Sequence, residues 1–240
     1  MHDQHHEHDK KRGDKRADEC LDDEFVKFLK HGIEYLYAMD KTKIQLSAKE
    51  MELVTNADLI LTKNAVIKKA TSLLETVQDE QEEFFKKIAD HLPVEASERT
   101  AKISRGENYH GLPYLVLDYP RVFDKENVFT IRTMFWWGNF FSITLQLSGK
   151  YKSIFENTVI KNFEFLKKET FSICVNNKEW EHHFEENNYQ PLSHFSKEEF
   201  RKKLAEVSFI KLAKKFPLQD WDNIPGFLVA EFKKITTILA

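Results

Sequence analysis

Arg105, Glu107, Asn108, Asp118, Arg121, Arg132, Trp136 and Thr144 fall within one stretch, Ser104 to Tyr151. They are the residues whose types and spacing fit ligand chemistry. A guanidinium is a planar fork that grips a carboxylate or phosphate through parallel hydrogen bonds, whereas a lysine ammonium is a compact point charge. The chain uses 29 lysines and 7 arginines, so an arginine in this sequence marks a place where geometry matters as well as charge. Ser104 to Tyr109, with Gly106, Gly111 and Pro113 nearby, reads as a shaped loop. Glycines there allow backbone N–H groups to approach a ligand, and Arg105 is positioned to clamp an anion. The competing reading of Arg105 is a plain salt bridge to Glu107. Trp136 offers an indole for stacking, or a packing residue.

A second chemistry uses Glu107 and Asp118 as an acid–base or divalent-metal pair, with a histidine such as His110 or His183, in a metal-assisted hydrolase. His182 and His183, read on one strand, point to opposite faces and do not chelate one ion together. His182 is then a core-face histidine, and His183, beside Glu181 and Glu185, is the more exposed. No third ligand is evident, so no metal site is assigned there, and no cofactor is assigned anywhere. His2, His5, His6 and His8, with Asp3, Glu7 and Asp9, form a tail able to hold zinc or nickel loosely, or simply a solvated tail. Cys174, in the apolar run SICV, reads as a buried hydrophobe before it reads as a nucleophile. The chain lacks GxGxxG, Walker, HExxH, GxSxG and paired CxxC signatures.

These residues need a sheet to position them. Apolar periodicity switches from 3.6 to 2 after the polar link at 93–102. Strands are predicted over 114–119, 129–136 and 140–147. A three-residue loop, Trp137-Gly138-Asn139, pairs Phe135 with Phe141, Ile131 with Leu145, Phe129 with Leu147, Thr130 with Gln146 and Arg132 with Thr144. A two-residue turn would set Arg132 against Leu145 and bury its charge among apolar groups. With the longer loop, one face is apolar. The other carries Asp118, Thr130, Arg132, Trp136, Ser142, Thr144 and Gln146. A second hairpin around Asn176-Asn177 is predicted to set Ile173 against Trp180 and Phe171 against His182.

Helices surround the sheet in this reading. Phe25, Phe28, Leu29, Ile33, Leu36 and Tyr37 form a stripe over 21–39. A helical region runs from Ser47, with Glu50 as its capping box, to about Leu92. Its best stripe is Val66, Ala70, Leu73, Val77, Gln81, Phe84 and Ile88, ended by Pro93. That stripe packs in cis against helix 21–39, or in trans as a dimer seam. Further helices are predicted at 152–168, from Ser196 with Glu199 through Phe200, Leu204, Val207 and Ile210, and from Pro225 to Leu239.

The fold class is therefore α+β: an N-terminal helical hairpin or bundle, then an antiparallel sheet covered on one face by helices. The segments are a disordered His-rich tail at 1–20, a helical region at 21–95 and an α+β domain at 103–240. In that domain the sheet spans 103–190 and C-terminal helices span 196–239. At 240 residues, 41% hydrophobic and 31% charged, the composition fits a soluble globular protein. A net charge of -3 argues against nucleic acid as the partner. No apolar run reaches the ~20 residues that span a bilayer, and no apolar stretch follows Met1, so no secretory signal is expected. Two unmatched cysteines point to a reducing, cytoplasmic compartment.

The block SRGENYHGLPYLVLDYPR, followed by IRTMFWWGNFFSITLQLSG and, more faintly, by EWEHHF and NNYQPL, resembles sequences of uncharacterised proteins from flavobacteria-type bacteria over roughly residues 103–190. The resemblance implies a bacterial cytosolic origin and brings no activity or site residue with it. The leading expectation is a binding protein whose Arg- and aromatic-rich sheet face receives an anionic small molecule or another protein. The alternatives are the Glu107/Asp118 hydrolase and an architectural subunit that dimerises through helix 58–91.

Overall fold

The computed structural model describes residue 24, residues 27–34 and residues 44–240. The expected tail at 1–20, Cys20 and part of the expected helix at 21–39 lie outside the described residues. The chain divides into two compact units, Met1–Ile60 and Leu61–Ala240.

In the first unit, residues 27–34 are helical. Helix α1 (Ala48–Thr55) begins at the Ser47–Glu50 capping box and buries none of its side chains. The Glu50 N–H donates to Ser47 Oγ at 3.3 Å, and the Ser47 N–H donates to Glu50 Oε2 at 2.7 Å. The helical region read as continuous from Ser47 breaks at Asn56, whose Oδ1 accepts from the Leu59 N–H at 3.3 Å. Asparagine competes with the helix ladder through such local bonds, so it ends one helix and starts another.

Helix α2 (Ala57–Lys86) continues into the second unit. Its buried stripe is Ile67, Ala70, Leu74, Val77, Gln81 and Phe85, rotated slightly from the expected Val66, Leu73 and Phe84. Leu73, Phe84 and Ile88 sit at the margin of the core instead. The stripe packs against the sheet, with the Phe85 ring 5.1 Å from that of Tyr119. Pro93 separates two short 3-10 turns, Ala89–His91 and Val94–Ala96.

Among the described residues the sheet has seven strands: β1 (Lys102–Tyr109), β2 (Leu112–Phe123), β3 (Val128–Trp136), β4 (Phe140–Ser148), β5 (Ser172–Cys174), β6 (Tyr189–Pro191) and β7 (Phe209–Pro217). All pairings are antiparallel, in the order β1-β2-β3-β4-β7-β5-β6. The β3–β4 register is the expected one: Phe135 opposes Phe141, Ile131 opposes Leu145, Phe129 opposes Leu147, Thr130 opposes Gln146 and Arg132 opposes Thr144. Gly138, at φ +71°, supplies the left-handed residue that this three-residue loop needs.

One face of the sheet packs under α2, α3 (Lys150–Lys161), α4 (Phe163–Lys168), α5 (Lys197–Glu206) and α6 (Ile224–Leu239). Leu117, Phe129, Ile131, Ile143 and Leu212 meet Phe155, Phe163, Phe200, Leu228 and Phe232 in one core. This is an α+β fold, with helices packed against an antiparallel sheet. Among the described residues no helix is long and apolar enough to cross a membrane.

Three local expectations are corrected. Residues 102–109 are a strand, not a loop. The helix from Ser196 stops at Glu206, Val207 is extended at ψ 154°, and Phe209–Pro217 becomes β7 in the interior of the sheet. Ile210, Leu212 and Phe216 oppose the apolar side chains of β4, while Lys211, Ala213 and Lys215 oppose its polar ones. The hairpin around Asn176-Asn177 does not form: Ile173 pairs with Gln190 and Leu212, and the segment between Cys174 and Tyr189 leaves the sheet.

Candidate functional site

That segment decides the fate of the polar face. Residues 175–188 fold back over the side of the sheet that faces away from the helices, and four sets of contacts hold them there. Arg132 Nη1–H donates to His182 Nε2 at 3.0 Å. Gln146 Nε2 donates to Glu179 Oε1 at 3.0 Å. Lys211 Nζ donates to the carbonyls of Glu179, at 2.9 Å, and Glu181. The Tyr109 hydroxyl accepts from the His182 N–H at 2.6 Å and the His183 N–H at 3.0 Å. Asp118, Thr130, Ser142, Thr144 and Gln146 are consequently buried. A face that the sequence leaves without covering helices is an interior layer, and Arg132, Gln146 and Lys211 are the groups on it that tie the segment down.

Asp118 and Arg132 oppose each other on β2 and β3. Arg132 Nε and Nη2 grip the two carboxylate oxygens of Asp118 at 2.7 and 2.9 Å, with side chains only 13% and 8% exposed. Thr144 lies opposite Arg132 on β4 and is buried. Trp136 is a packing residue: its Nε1–H donates to the Tyr109 carbonyl at 3.2 Å, and it clusters with Val116, Met134 and Phe140. Arg105 opposes Leu115, so it projects toward the helical side, away from Arg132. It donates to Glu107 through Nε at 2.8 Å and through Nη2, and Lys63 of α2 donates to the same carboxylate at 2.6 Å. Lys63 first, then Arg105, hold Glu107 below its ordinary carboxyl value. Asn108 Oδ1 accepts from the Gly111 N–H at 3.1 Å and shapes the β1–β2 turn. Arg121 lies beyond the β2 irregularity and donates to the Thr100 carbonyl at 3.3 Å. The structure therefore joins Asp118, Arg132 and Thr144, and holds Arg105, Glu107 and Arg121 elsewhere. Glu107 and Asp118 each have a different cation and do not share a site.

Beside the Arg132–Asp118 pair is a cleft of about 290 Å³ lined by Tyr109, Tyr114, Val116, Arg132, Met134, Trp180 and His182. Glycine shapes one wall, since a Cβ at Gly106 would lie 2.3 Å from the Tyr114 ring. Trp180 is 50% exposed and forms the outer rim, with its ring centroid 5.4 Å from Arg132 Cζ. Burial, reinforced by the charges of Lys211 and Arg132, pushes His182 well below its ordinary value. Its neutral ring is thus matched to accepting from Arg132. Burial also pushes Lys211 down to about 8 and the Cys174 thiol up. Burial thus disfavours the thiolate that nucleophilic chemistry requires. A broader groove, of about 500 Å³, lies among Phe84, Asn162, Phe165, Lys233 and Thr237. One of its lysines, Lys234, is already paired with Glu169 and Glu231.

A second group sits at the end of the β1–β2 hairpin. His110 and Gly111 make its two-residue turn, both at positive φ, +49° and +79°. His110 Nε2 is 3.5 Å from Glu181 Oε2, and His183 Nε2 is 3.8 Å from the same oxygen. The ligating atoms of all three lie within 4.8 Å of one another. His183 is buried, contrary to the strand reading that left it exposed, and Glu181 is the third group that the sequence did not reveal. Tyr109, also absent from the sequence candidates, donates to Glu181 Oε2 at 3.3 Å. No local spacing announces this set, because Glu181 lies 71 positions beyond His110. The one local sign is histidine before glycine, where a tight hairpin prefers asparagine or aspartate. Set against protein family models, curated proteins and solved structures, the chain matches none.

Proposed function

We propose that this is a binding protein whose cleft over β2 and β3 takes a small ligand with a flat apolar body and a hydrogen-bond acceptor. The observation that carries the reading is the composition of the cleft: three aromatic rings, Val116 and Met134 around a single held guanidinium. Such pockets bury an apolar body and use a few fixed polar groups to orient it. A guanidinium has five N–H donors. Three are engaged by Asp118 and His182, which leaves two without a partner among the described residues. Asp118 balances the charge of Arg132, so the cleft selects acceptor strength and shape more than net negative charge. The anionic ligand expected from the arginine content is one member of this class, alongside neutral amides and ketones.

The test is saturation-transfer NMR with matched aromatic carboxylates and carboxamides, run on the native chain and on Val116→Phe. Binding of at least one probe that is lost when phenylalanine fills the cleft supports the reading. A panel without binders, or binding indifferent to Val116→Phe, removes it. One observation favours a second reading, self-association: Met51, Leu53, Val54, Leu59 and Ile60, large apolar residues close in sequence, are all exposed, and apolar surface of this kind, when gathered into a patch, marks interfaces. Light scattering that shows a monomer at high concentration removes that reading.

A further inference from the structure

We propose that His110, Glu181 and His183 form a binding site for a divalent transition-metal ion of the zinc class, with an open coordination position. Two imidazoles and one carboxylate are an established donor set for zinc and neighbouring metals, and three protein ligands leave the fourth position to water or a ligand. Zinc–ligand bonds of about 2.0–2.1 Å in a tetrahedron put the ligating atoms about 3.4 Å apart. The Glu181 oxygen already lies 3.5 Å from His110 Nε2 and 3.8 Å from His183 Nε2. Closing the set takes a few tenths of an ångström at those two edges and a rotation of the half-exposed His110 ring at the third.

The surroundings position the ligands. Tyr109 receives the backbone N–H groups of His182 and His183 and donates to Glu181, which fixes the carboxylate relative to the His183 backbone. The Tyr109 ring also lies 4.6 Å from the His110 ring, edge-on. Metal at Nε2 of His183 places the proton on Nδ1, which faces Glu185 Oε2 at 3.8 Å. A carboxylate behind a ligating imidazole is the usual outer partner in such sites. The long 3.4 Å contact from the Glu185 N–H to Nδ1 is given up in exchange. His110 occupies its turn at positive φ, a conformation that a residue other than glycine adopts at a cost. A ligand role accounts for histidine where asparagine would fold more easily.

The site stands independently of any occupant of the neighbouring cleft, because the probe is the metal alone. The test uses the full chain with His2, His5, His6 and His8 replaced by serine, so that no tail imidazole competes for the metal. Zn²⁺ binding is measured by equilibrium dialysis and Co²⁺ binding by visible absorption. The expected result is one equivalent of metal, with the intense visible bands of four- or five-coordinate Co²⁺. His110→Asn suits the turn and keeps the fold, so it isolates the ligand. It should weaken binding about 100-fold or more, and Glu181→Gln should weaken it at least about tenfold. Absence of stoichiometric binding overturns the proposal, as does binding unchanged in His110→Asn with its melting temperature retained.

Discussion

Replacing Asp118 by Asn should cost more stability than any other single exposed-looking change on the sheet. The Arg132–Asp118 pair is bidentate at 2.7 and 2.9 Å and nearly out of water, with side chains 13% and 8% exposed. Removing one partner of a buried pair leaves the other charge desolvated and typically costs about 3–5 kcal/mol. Arg132 would then face Lys211 from the same covered layer without its counter-ion, since both reach the 179–182 segment. In a unit of this size each kcal/mol moves the melting temperature by about 2–4 °C, so a loss near 3 kcal/mol lowers it by roughly 6–12 °C. The double change Asp118→Leu with Arg132→Met removes both charges and should recover most of that loss. Urea unfolding followed by circular dichroism of the native chain, Asp118→Asn, the single changes Asp118→Leu and Arg132→Met, and their combination supplies both the loss and the four corners of the cycle, and equal slopes confirm that the same transition is compared. A loss below about 1 kcal/mol for Asp118→Asn is the value of a surface pair. It would refute the reasoning, because it would mean that water reaches this layer and that residues 175–188 do not cover it.

Other outcomes follow from neighbouring groups. Burial holds Lys211 at about 8 when folded, against an unfolded value near 10.4. Between those values the unfolded chain holds more protons, so stability rises with pH. From pH 7 to 9 the native chain should gain about 1 kcal/mol relative to Lys211→Met in parallel urea titrations; identical slopes would contradict the burial of that ammonium. Gly106→Ala should displace the Tyr114 ring, which a Cβ would meet at 2.3 Å. It should weaken any ligand of the cleft by tenfold or more while lowering stability by roughly 1 kcal/mol, because a ring end can swing aside.

How far the sequence could be read depended on where charge and pattern agreed. The β3–β4 register was legible because only one loop length keeps Arg132 away from Leu145 and leaves Phe135, Ile131 and Phe129 on an apolar face. The Ser47 and Ser196 capping boxes were legible because their bonds are local. β7 was not, since Phe200, Leu204, Val207 and Ile210 extend a helical spacing across a real helix end. Lys211, Lys214 and Lys215 also give an interior strand the polarity of a surface. Residues 176–188 were misread because the alternation in KEWEHHF mimics a strand. Their actual partners, Tyr109, Arg132, Gln146 and Lys211, lie 30 to 74 residues away. Asp118, Thr130, Arg132, Trp136, Ser142, Thr144 and Gln146 do share one side, but Val116, Met134, Phe140 and Lys211 share it too and residues 175–188 cover it, since alternation tells which residues share a side and not what covers it. The His110–Glu181–His183 set was hidden for the same reason: it exists only because that covering segment returns to the hairpin tip.

The most direct measurement is amide hydrogen exchange at His182 and His183, two residues outside any helix or strand whose N–H groups bond to the Tyr109 hydroxyl. A pinned segment predicts strong protection at both in the native chain and its loss in Tyr109→Phe, with β3 and β4 amides unchanged. Exchange at free-peptide rates in the native chain would show that the segment does not lie on the sheet, and the cleft and the metal site would lose their common support.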